Sequence, residues 1–222
     1  MARELSGSHV VVVGATGVLG AAVSSGLSRH GARVSAIVRD HSRLDGSSVT
    51  QYALADVTDH EALKTAIASV APFDGFVNAA GVVAFGNVTD LDDSTLARLF
   101  AVNAVAPFVM LRESSPHLSD GGFFLNISGV VATQPVGGMA AYCASKAAAF
   151  AAMSAAGREF RRRRIDVIDA RPPHIETGLA NRAIAGLAPK MPQGLDPELV
   201  ARRIVDGIVA GERDLPTEAF TA

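Results

Sequence analysis

The amino-acid sequence predicts an α/β protein with a doubly wound parallel sheet. Short apolar runs alternate with longer amphipathic stretches along the whole 222-residue chain. This alternation is typical of parallel strands joined by right-handed helical crossovers. Apolar residues make up 49% of the chain, yet aromatic residues are only 5% and Trp is absent, so Ala, Val, Leu and Ile must fill the core. Such a core is typical of a sheet that is covered by helices on both faces.

The individual elements follow from apolar periodicity and from turn and cap residues. The predicted strands are His9–Val13, Arg33–Val38, 49–54, Phe73–Asn78, 123–128 and 165–170. The predicted helices are 18–30, 59–70 with Asp59 as its N-cap, 92–117 as one bent helix or two, 140–164 and 196–210. The Pro-rich segment at about 171–197 is predicted to be a substrate loop or a lid. Without a repeat or a linker, residues 1–222 are expected to form a single domain.

Composition excludes several classes of protein. A formal net charge of −2 argues against a nucleic-acid-binding protein, which normally carries a basic excess. The single cysteine, Cys143, has no partner for an internal disulfide, which favours a reducing cytoplasm. Residues 1–8 show no signal-peptide pattern, and no apolar run is expected to reach the ~18 residues that span a bilayer. We therefore expect a cytoplasmic protein that binds neither membrane nor nucleic acid.

A glycine-rich turn joins the first predicted strand to the first predicted helix. Its glycines are spaced G-x-x-G-x-x-G rather than G-x-G-x-x-G, because residue 15 is Ala. Glycines at such a turn let backbone N–H groups and the helix N-terminus approach a pyrophosphate. The turn therefore predicts a dinucleotide site, although a glycine-rich turn also occurs for structural reasons alone. The candidate cofactor contacts here are Gly14, Thr16, Gly17, Val18, Leu19 and Gly20.

The end of the second predicted strand indicates which dinucleotide is bound. Proteins that bind NAD place Asp or Glu there to accept hydrogen bonds from the ribose 2′-OH, whereas this chain has Val38 followed by Arg39. A guanidinium binds a 2′-phosphate that a carboxylate would repel, and Arg43 is placed to assist. The next residue, Asp40, is a carboxylate that argues against this assignment, unless it caps a short following helix. The sequence favours NADP(H) over NAD(H).

Five further motifs occur in order, each near the end of a predicted strand or on a helix. They are Asp56-Val57, Asn78-Ala79-Ala80-Gly81, Asn103 in Phe-Ala-Val-Asn, Tyr142-Cys-Ala-Ser-Lys146, and the Arg-Pro-Pro-His-Ile-Glu-Thr segment 171–177. Together with the glycine turn they make the chain resemble the short-chain dehydrogenase/reductase family over nearly its whole length. The resemblance implies a Rossmann fold and a nicotinamide-dependent oxidoreductase.

The resemblance also implies a role for each motif. Asp56 and Val57 would hold the adenine, and the Asn78, Ala79, Ala80 and Gly81 turn would line the cofactor. The nicotinamide would be contacted by Pro172, Ile175 and Thr177. Asn103 would hold a water of a proton relay.

Tyr142 and Lys146 form the predicted catalytic pair. They are four residues apart, so on a helix they share one face. A free tyrosine has a pKa near 10, and a nearby ammonium is expected to lower that pKa toward neutrality. Tyr142 would then protonate a carbonyl oxygen or deprotonate an alcohol, and Lys146 would also bind the nicotinamide ribose, as the resemblance implies.

Two positions depart from the family pattern. The residue thirteen before the tyrosine is Gly129, where the family has a catalytic serine. The adjacent Ser128 is expected to point to the other face of the strand, with its hydroxyl bonded to neighbouring backbone. We expect Gly129→Ser to raise turnover with little change in melting temperature, unless the glycine is needed for a positive φ, in which case serine would destabilise the fold by ~1 kcal/mol or more. Pro173 replaces a family glycine, and His174 is interpreted as a solvated loop histidine or as a substitute polar contact.

Three functions remain open on the sequence alone. The leading hypothesis is an NADP(H)-dependent enzyme that interconverts a carbonyl and an alcohol on a small neutral substrate, because the loops at the strand ends carry few charges. The alternative is a cofactor-binding regulatory or scaffold protein. The glycine spacing also suggests an isomerase or dehydratase, but about fifty residues after the last predicted strand are too few for the substrate domain of such enzymes. The Ala-rich helix 140–164 favours a homodimer or homotetramer.

Overall fold

The computed structural model describes residues 2–221 and contains one seven-stranded, fully parallel sheet. The strand order is β3-β2-β1-β4-β5-β6-β7. The strands are β1 His9–Val13, β2 Arg33–Val38, β3 Gln51–Leu54, β4 Phe73–Asn78, β5 Leu118–Ile127, β6 Asp166–Ala170 and β7 Asp214–Leu215. The chain reverses its direction of progress between β1 and β4, and such a switch point opens a ligand crevice at the carboxyl ends of the strands.

Helices cover both faces of this sheet. They are α1 Val18–Arg29, α2 His60–Ser69, α3 Asp93–Phe100, α4 Ala106–Ser114, α5 Ala140–Glu159 and α6 Pro197–Ala210. One core cluster lies under α1 and α6 and includes Val23, Leu27 and Ile204. The other lies under α2, α4 and α5 and includes Leu63, Met110 and Met153. The predicted doubly wound α/β architecture is confirmed.

The stretch from α3 to α4 is one continuous helical segment with a π-helical turn, Ala101–Val105, in its middle. Within this segment and the short turn that follows it, Asp93–His117, an 18-residue window has a mean hydropathy of 1.5, and half of that window is buried. Its length and composition meet those of a membrane span, so the expectation that no apolar run would reach that length is wrong. Core helices meet the same criterion, and here the buried side packs against α2, α5 and the sheet.

Several predicted bounds agree with the structure. β1, β2 and β4 begin and end at the predicted residues. Asp59 caps α2 as predicted, because its side chain accepts a hydrogen bond from the Ala62 N–H. The seventh strand was not predicted: β7 is two residues long and pairs with Asp169 and Ala170 of β6. Two residues carry no periodic pattern, so the neighbouring strand, and not the local sequence, defines this element.

The segment between β6 and α6 is irregular, apart from a short 3₁₀ turn at Ala180–Arg182. A parallel bridge between Ile175 and Leu195 closes its base. Its middle is tied to the loop after β4, since the Ile184 N–H donates to Val83 O at 2.8 Å and the Phe85 N–H donates to Ala185 O at 2.9 Å. These bonds hold the segment over the carboxyl edge of the sheet.

Candidate functional site

The glycine turn at the end of β1 is shaped by close backbone packing. Gly14 has φ +82°, and a Cβ there would lie 2.9 Å from the Ala80 backbone nitrogen, so glycine is required. α1 begins after Gly17 with no side-chain cap and with no acidic residue in its first turn. Its first N–H groups therefore face the crevice without an internal acceptor, and this fits the pyrophosphate of a dinucleotide.

The turn after β2 carries the cation predicted to select the cofactor. Arg39 follows the last residue of β2 and is exposed. Asp40 does not cap a helix; its carboxylate instead accepts hydrogen bonds from the backbone and hydroxyl of Ser42, at 2.9 and 2.8 Å. The Asp40 carboxylate is therefore hydrogen bonded within its own loop, whereas the Arg39 side chain is exposed to solvent.

Asp56 lies at the end of β3, as predicted for an adenine contact, and Val57 follows it. The Asp56 carboxylate accepts hydrogen bonds from the Thr58 backbone and hydroxyl, at 2.9 and 2.7 Å, and lies 3.6 Å from Arg98. Burial acts to raise the pKa of this carboxyl, but the Thr58 hydrogen bonds together with Arg98 and Arg39 lower it overall. The Asp56 carboxyl is thereby kept ionised, and it lies on the same side of the crevice as Arg39.

The turn after β4 is held rigid by Asn78. Its side-chain oxygen accepts a hydrogen bond from the Ala80 N–H at 3.1 Å, and its side-chain nitrogen donates to Asn126 at 2.9 Å. The turn, which continues through Ala79 to Gly81, packs directly against Gly14. The predicted cofactor-lining turn and the predicted phosphate turn are therefore in contact.

Asn103 lies in the π-helical turn, and such turns are frequent at functional sites. Its amide exchanges two hydrogen bonds with the backbone of Val82, at 3.0 and 2.9 Å. It also donates to the Ser145 hydroxyl at 3.1 Å, and that hydroxyl donates to the Tyr142 carbonyl at 2.7 Å. Asn103 thus links the turn after β4 to the start of α5.

Lys146 is buried on α5, and its side chain extends toward Gly81 and Asn103. Its ammonium donates to Ile127 O at 2.9 Å. A Cβ on Gly81 would lie 3.3 Å from the Lys146 nitrogen and 3.4 Å from the Asn103 side-chain oxygen. The glycine therefore leaves space where the two predicted catalytic side chains meet. Burial lowers the pKa of Lys146 to about 8, and Asp169 acts in the opposite direction.

Tyr142 lies one turn before Lys146, as the spacing predicts. Burial raises the pKa of its hydroxyl above the ordinary value, and Cys143 adds to the rise. The pKa of Tyr142 is therefore raised in this structure, where the sequence predicted a fall. A protonated phenol is the form that donates a proton to a carbonyl oxygen. Within residues 2–221, the hydroxyl makes no hydrogen bond to another protein group.

Gly129 has φ +83°, at the end of β5 where the family has serine. A non-glycine residue would be strained there, so the expectation of an unchanged melting temperature for Gly129→Ser is wrong. Ser128 is buried, and its hydroxyl donates to the Asp169 carboxylate and not to neighbouring backbone as expected. The Ser128 hydroxyl is therefore already hydrogen bonded to Asp169 and does not replace the missing serine.

The segment after β6 brings Pro172, Ile175 and Thr177 to the same edge. Pro172 accepts a hydrogen bond from the Val130 N–H at 2.9 Å, and the Thr177 N–H donates to Ile175 O at 2.8 Å. His174, which follows Pro173, lies 3.6 Å from the Glu176 carboxylate and is partly exposed. These contacts make His174 part of the segment's own surface rather than a substitute for the missing serine.

A cavity of about 290 Å³ opens beside Tyr142. Its walls come from the loop after β4, from α3 and from the start of α5. The lining side chains carry no charge, and apart from Tyr142 only Asn87 is polar. The apolar lining includes Ala84, Val88, Leu91, Leu96, Leu99, Phe100 and Met139.

The sequence analysis missed three residues that support this site. Ser145 lies inside the Tyr142–Lys146 motif and bridges Asn103 to α5. Asp169 and Arg171 are buried and paired at 3.3 Å. Asp169 lies in β6 and Arg171 follows that strand, so their charges beside buried apolar residues were a signal, but their further partners Asn126, Ser128 and Asp214 are distant in sequence and could not be identified from it.

Comparisons with known proteins agree with this geometry. The sequence model of the family described as short chain dehydrogenase matches residues 8–187. The chain is 30% identical over 187 residues to inactive 2-(S)-hydroxypropyl-CoM dehydrogenase 2 of Xanthobacter autotrophicus, covering 79% of each chain. It is 30% identical over 177 residues to the cyclic-di-GMP-binding biofilm dispersal mediator protein of Escherichia coli, covering 78% of this chain and 75% of that one.

A solved structure agrees with the fold. A short chain dehydrogenase from Burkholderia cenocepacia J2315, in complex with NADP, superposes with a TM-score of 0.81 at 26% identity. The match covers 97% of this chain and 90% of that one. The chain therefore belongs to the short-chain dehydrogenase/reductase family of NAD(P)-dependent oxidoreductases.

Proposed function

We propose that the protein reduces a carbonyl group on a small neutral substrate with NADPH, and oxidises the corresponding alcohol with NADP⁺ in reverse. The observation that carries the proposal is the meeting of Gly81, Asn103 and Lys146 at the carboxyl edge of the sheet, one helical turn from Tyr142. A half-buried tyrosine and a buried lysine beside a backbone turn that fits a dinucleotide support this proposal.

Arg39 supports NADP(H) as the cofactor. It is an exposed cation at the end of β2, where a carboxylate would mark an NAD protein. Its neighbour Asp40 is engaged with Ser42. The related Burkholderia structure is a complex with NADP, which supports the same choice. Gly14, the start of α1 and the Asn78–Gly81 turn would hold the pyrophosphate and the nicotinamide half.

The chemical roles follow from the side chains. The bound cofactor supplies a hydride to the carbonyl carbon. Tyr142, whose pKa is raised by burial, donates its hydroxyl proton to the carbonyl oxygen. Lys146 presents an ammonium beside Gly81, where it would hold the cofactor ribose. The same positive charge would stabilise the Tyr142 phenolate that remains after the proton is donated. Asn103 fixes the π turn and, through Ser145, the start of α5.

The cavity beside Tyr142 supports a neutral substrate. Its walls are apolar, with only Asn87 and Tyr142 offering polar side chains. A charged substrate would lose its hydration there with no counter-charge in the walls. A volume of about 290 Å³ is at the lower end for small-molecule pockets, so the substrate is small.

A homodimer or homotetramer is part of the proposal. Val105 in the π turn, Phe108 on α4 and Ala148 on α5 are exposed. Such an apolar face marks a protein interface, and its small residues allow close helix packing. Light scattering should give a mass of two or four chains, and Phe108→Glu should lower it. A wild-type monomer at micromolar concentration would contradict the assembly.

A second candidate is a cofactor-binding regulatory or scaffold protein. Gly129 favours it, because the hydroxyl that polarises a carbonyl in the family is absent and Ser128 is bonded to Asp169. The names of two relatives, an inactive dehydrogenase and a cyclic-di-GMP-binding mediator, point the same way. The intact arrangement of Tyr142, Lys146 and Asn103 favours the enzyme.

Turnover distinguishes the two candidates. The purified chain is incubated with NADPH and a panel of uncharged ketones and aldehydes, with matched charged carbonyl compounds as the control set. We expect NADPH consumption with members of the uncharged set. NADPH binding without consumption by any member would favour the regulatory protein.

A further inference from the structure

A layer of buried polar side chains lies between the sheet and α5, directly behind Lys146. Asn126 near the end of β5 and Asp169 on β6 are register partners, and Ser128 follows on the same side of the chain. All three side chains are almost completely buried. Buried polar groups are tolerated when they are hydrogen bonded, so their partners define the role of the layer.

Asp169 is the centre of this layer. Its carboxylate accepts hydrogen bonds from the Asn126 amide at 2.9 Å, from the Ser128 hydroxyl, and from Arg171 at 3.3 Å. Burial raises the pKa of the Asp169 carboxyl, and the hydrogen bonds from Ser128 and Asn126 together with the charges of Arg171 and Lys146 oppose that rise by favouring the ionised form. Arg171 continues outward to Asp214, with two bonds at 2.7 and 2.9 Å, and stacks on the Phe150 ring of α5.

The ammonium of Lys146 lies over the same part of the sheet. It donates to the carbonyl of Ile127, the residue between the two side chains of β5 that bind Asp169. The ionisable groups around it are Tyr142 on its own helix, Asp169 on β6 and, beyond Asp169, Arg171. A buried ammonium is costly without an opposite charge. Asp169 raises the pKa of Lys146 against the larger lowering by burial.

We propose that Asp169 is a positioning residue for the reaction, whose buried carboxylate supplies the counter-charge for the Lys146 ammonium and fixes the Ser128 hydroxyl by a hydrogen bond. The proposal rests on the proposed function, because it acts through the lysine that serves the cofactor and Tyr142. It adds a residue of β6 to a site otherwise built from β4, the π turn and α5. Asp214, which binds the outer side of Arg171, is the natural comparison because it belongs to the same chain of charges but lies at the surface.

The three lysines of the chain, Lys64, Lys146 and Lys190, allow a direct test. In protein labelled with ¹³C at the lysine ε-carbon, the signal of Lys146 is assigned by its loss in Lys146→Met and is followed against pH. We expect a midpoint near 8 in the wild type. Asp169→Asn should lower the midpoint by about one pH unit or more, a tenfold or larger loss of proton affinity. Asp214→Asn should leave it unchanged.

A folded Asp169→Asn protein with the wild-type midpoint would overturn the proposal. If this variant does not fold, the reciprocal measurement decides, because coupling between two sites is the same in both directions. The ¹³C signal of the Asp169 carboxyl is then titrated in wild type and in Lys146→Met. Removal of the ammonium should raise the Asp169 midpoint by about one unit or more, and an unchanged midpoint would overturn the proposal.

These titrations need no substrate, so their result does not depend on whether the proposed function is correct. A coupled pair in a protein that turns over no carbonyl compound would support the counter-charge and contradict the reaction. Where turnover is found, the alkaline limb of kcat/KM should move to lower pH in Asp169→Asn and not in Asp214→Asn. A purely structural role of Asp169 would lower the melting temperature without moving that limb.

Discussion

The Ser128 hydroxyl donates a hydrogen bond to the Asp169 carboxylate in the buried layer between the sheet and α5. The next residue, Gly129, takes φ +83°. Position 129 therefore differs from the family's serine in two respects. It has no side chain, and its backbone conformation is not that of an extended strand.

Gly129→Ser should destabilise the protein without improving catalysis. A Cβ there meets only Pro172 O, at 3.7 Å, so strain at positive φ is the main cost, about 1 kcal/mol or more. The hydroxyl would also start from a backbone unlike that of an extended strand. Thermal melting and steady-state kinetics are compared with Gly129→Ala, which carries the same strain without a hydroxyl. A serine variant that is faster than the alanine variant would contradict this prediction.

Arg39→Ala should weaken NADPH binding by roughly ten- to hundredfold, because a charge-assisted hydrogen bond to phosphate contributes about 1.5–3 kcal/mol. NADH has no 2′-phosphate, so its affinity should be unchanged. Fluorescence titration of both cofactors with wild type and variant measures the difference. Arg43→Ala serves as the matched control on the same loop and should have the smaller effect. Equal wild-type affinities for the two cofactors would show that Arg39 does not bind a phosphate.

Tyr142→Phe and Lys146→Ala should separate catalysis from cofactor binding. The phenol acts on the substrate, so Tyr142→Phe should lower kcat by about 10²–10⁴-fold while NADPH binding is retained. Lys146→Ala should reduce both, because the ammonium lies beside Gly81, where the cofactor would pass. Binding titrations and kinetics on one substrate test the pair. Retention of most activity by Tyr142→Phe would exclude the proposed proton donor.

The buried ammonium also predicts a pH dependence of stability. The pKa of Lys146 is lowered from 10.5 to about 8 in the folded protein, so the unfolded chain binds more protons between these values. The stability of wild type relative to Lys146→Met should therefore rise with pH from about 8 to 10.5, by up to about 3 kcal/mol. Urea unfolding of both proteins at several pH values measures it. A difference that is flat or falls with pH would mean that Lys146 is not desolvated.

Much of the fold follows from local patterns in the sequence. The strands β1, β2 and β4 are buried apolar runs bounded by turns, and Asp59 is a cap whose partner is three residues away. β7 and the π turn do not follow from such patterns. A two-residue strand exists only because β6 offers it hydrogen bonds, and the π turn interrupts an otherwise continuous helix.

The candidate site, like the fold, was predictable from the sequence only in part. Tyr142, Lys146 and Asn103 are recognisable from spacing and resemblance, and the structure brings Lys146 and Asn103 together at Gly81. The electrostatics were not predictable, because they depend on burial and on Asp169, which lies 23 residues after Lys146 on another element. Burial, with a smaller contribution from Cys143, raises the pKa of Tyr142 where proximity to a lysine alone suggested a fall.

The most direct test of the account is the transfer of deuterium from NADPH that carries it at the reacting carbon of the nicotinamide. Wild type is incubated with this cofactor and an uncharged carbonyl substrate from the panel, and the alcohol product is analysed by mass spectrometry, with Tyr142→Phe as the matched control. We predict one deuterium on the carbinol carbon with wild type and little or no product with Tyr142→Phe. NADPH that stays bound and unconsumed with every carbonyl compound, or equal product from both proteins, would contradict the account.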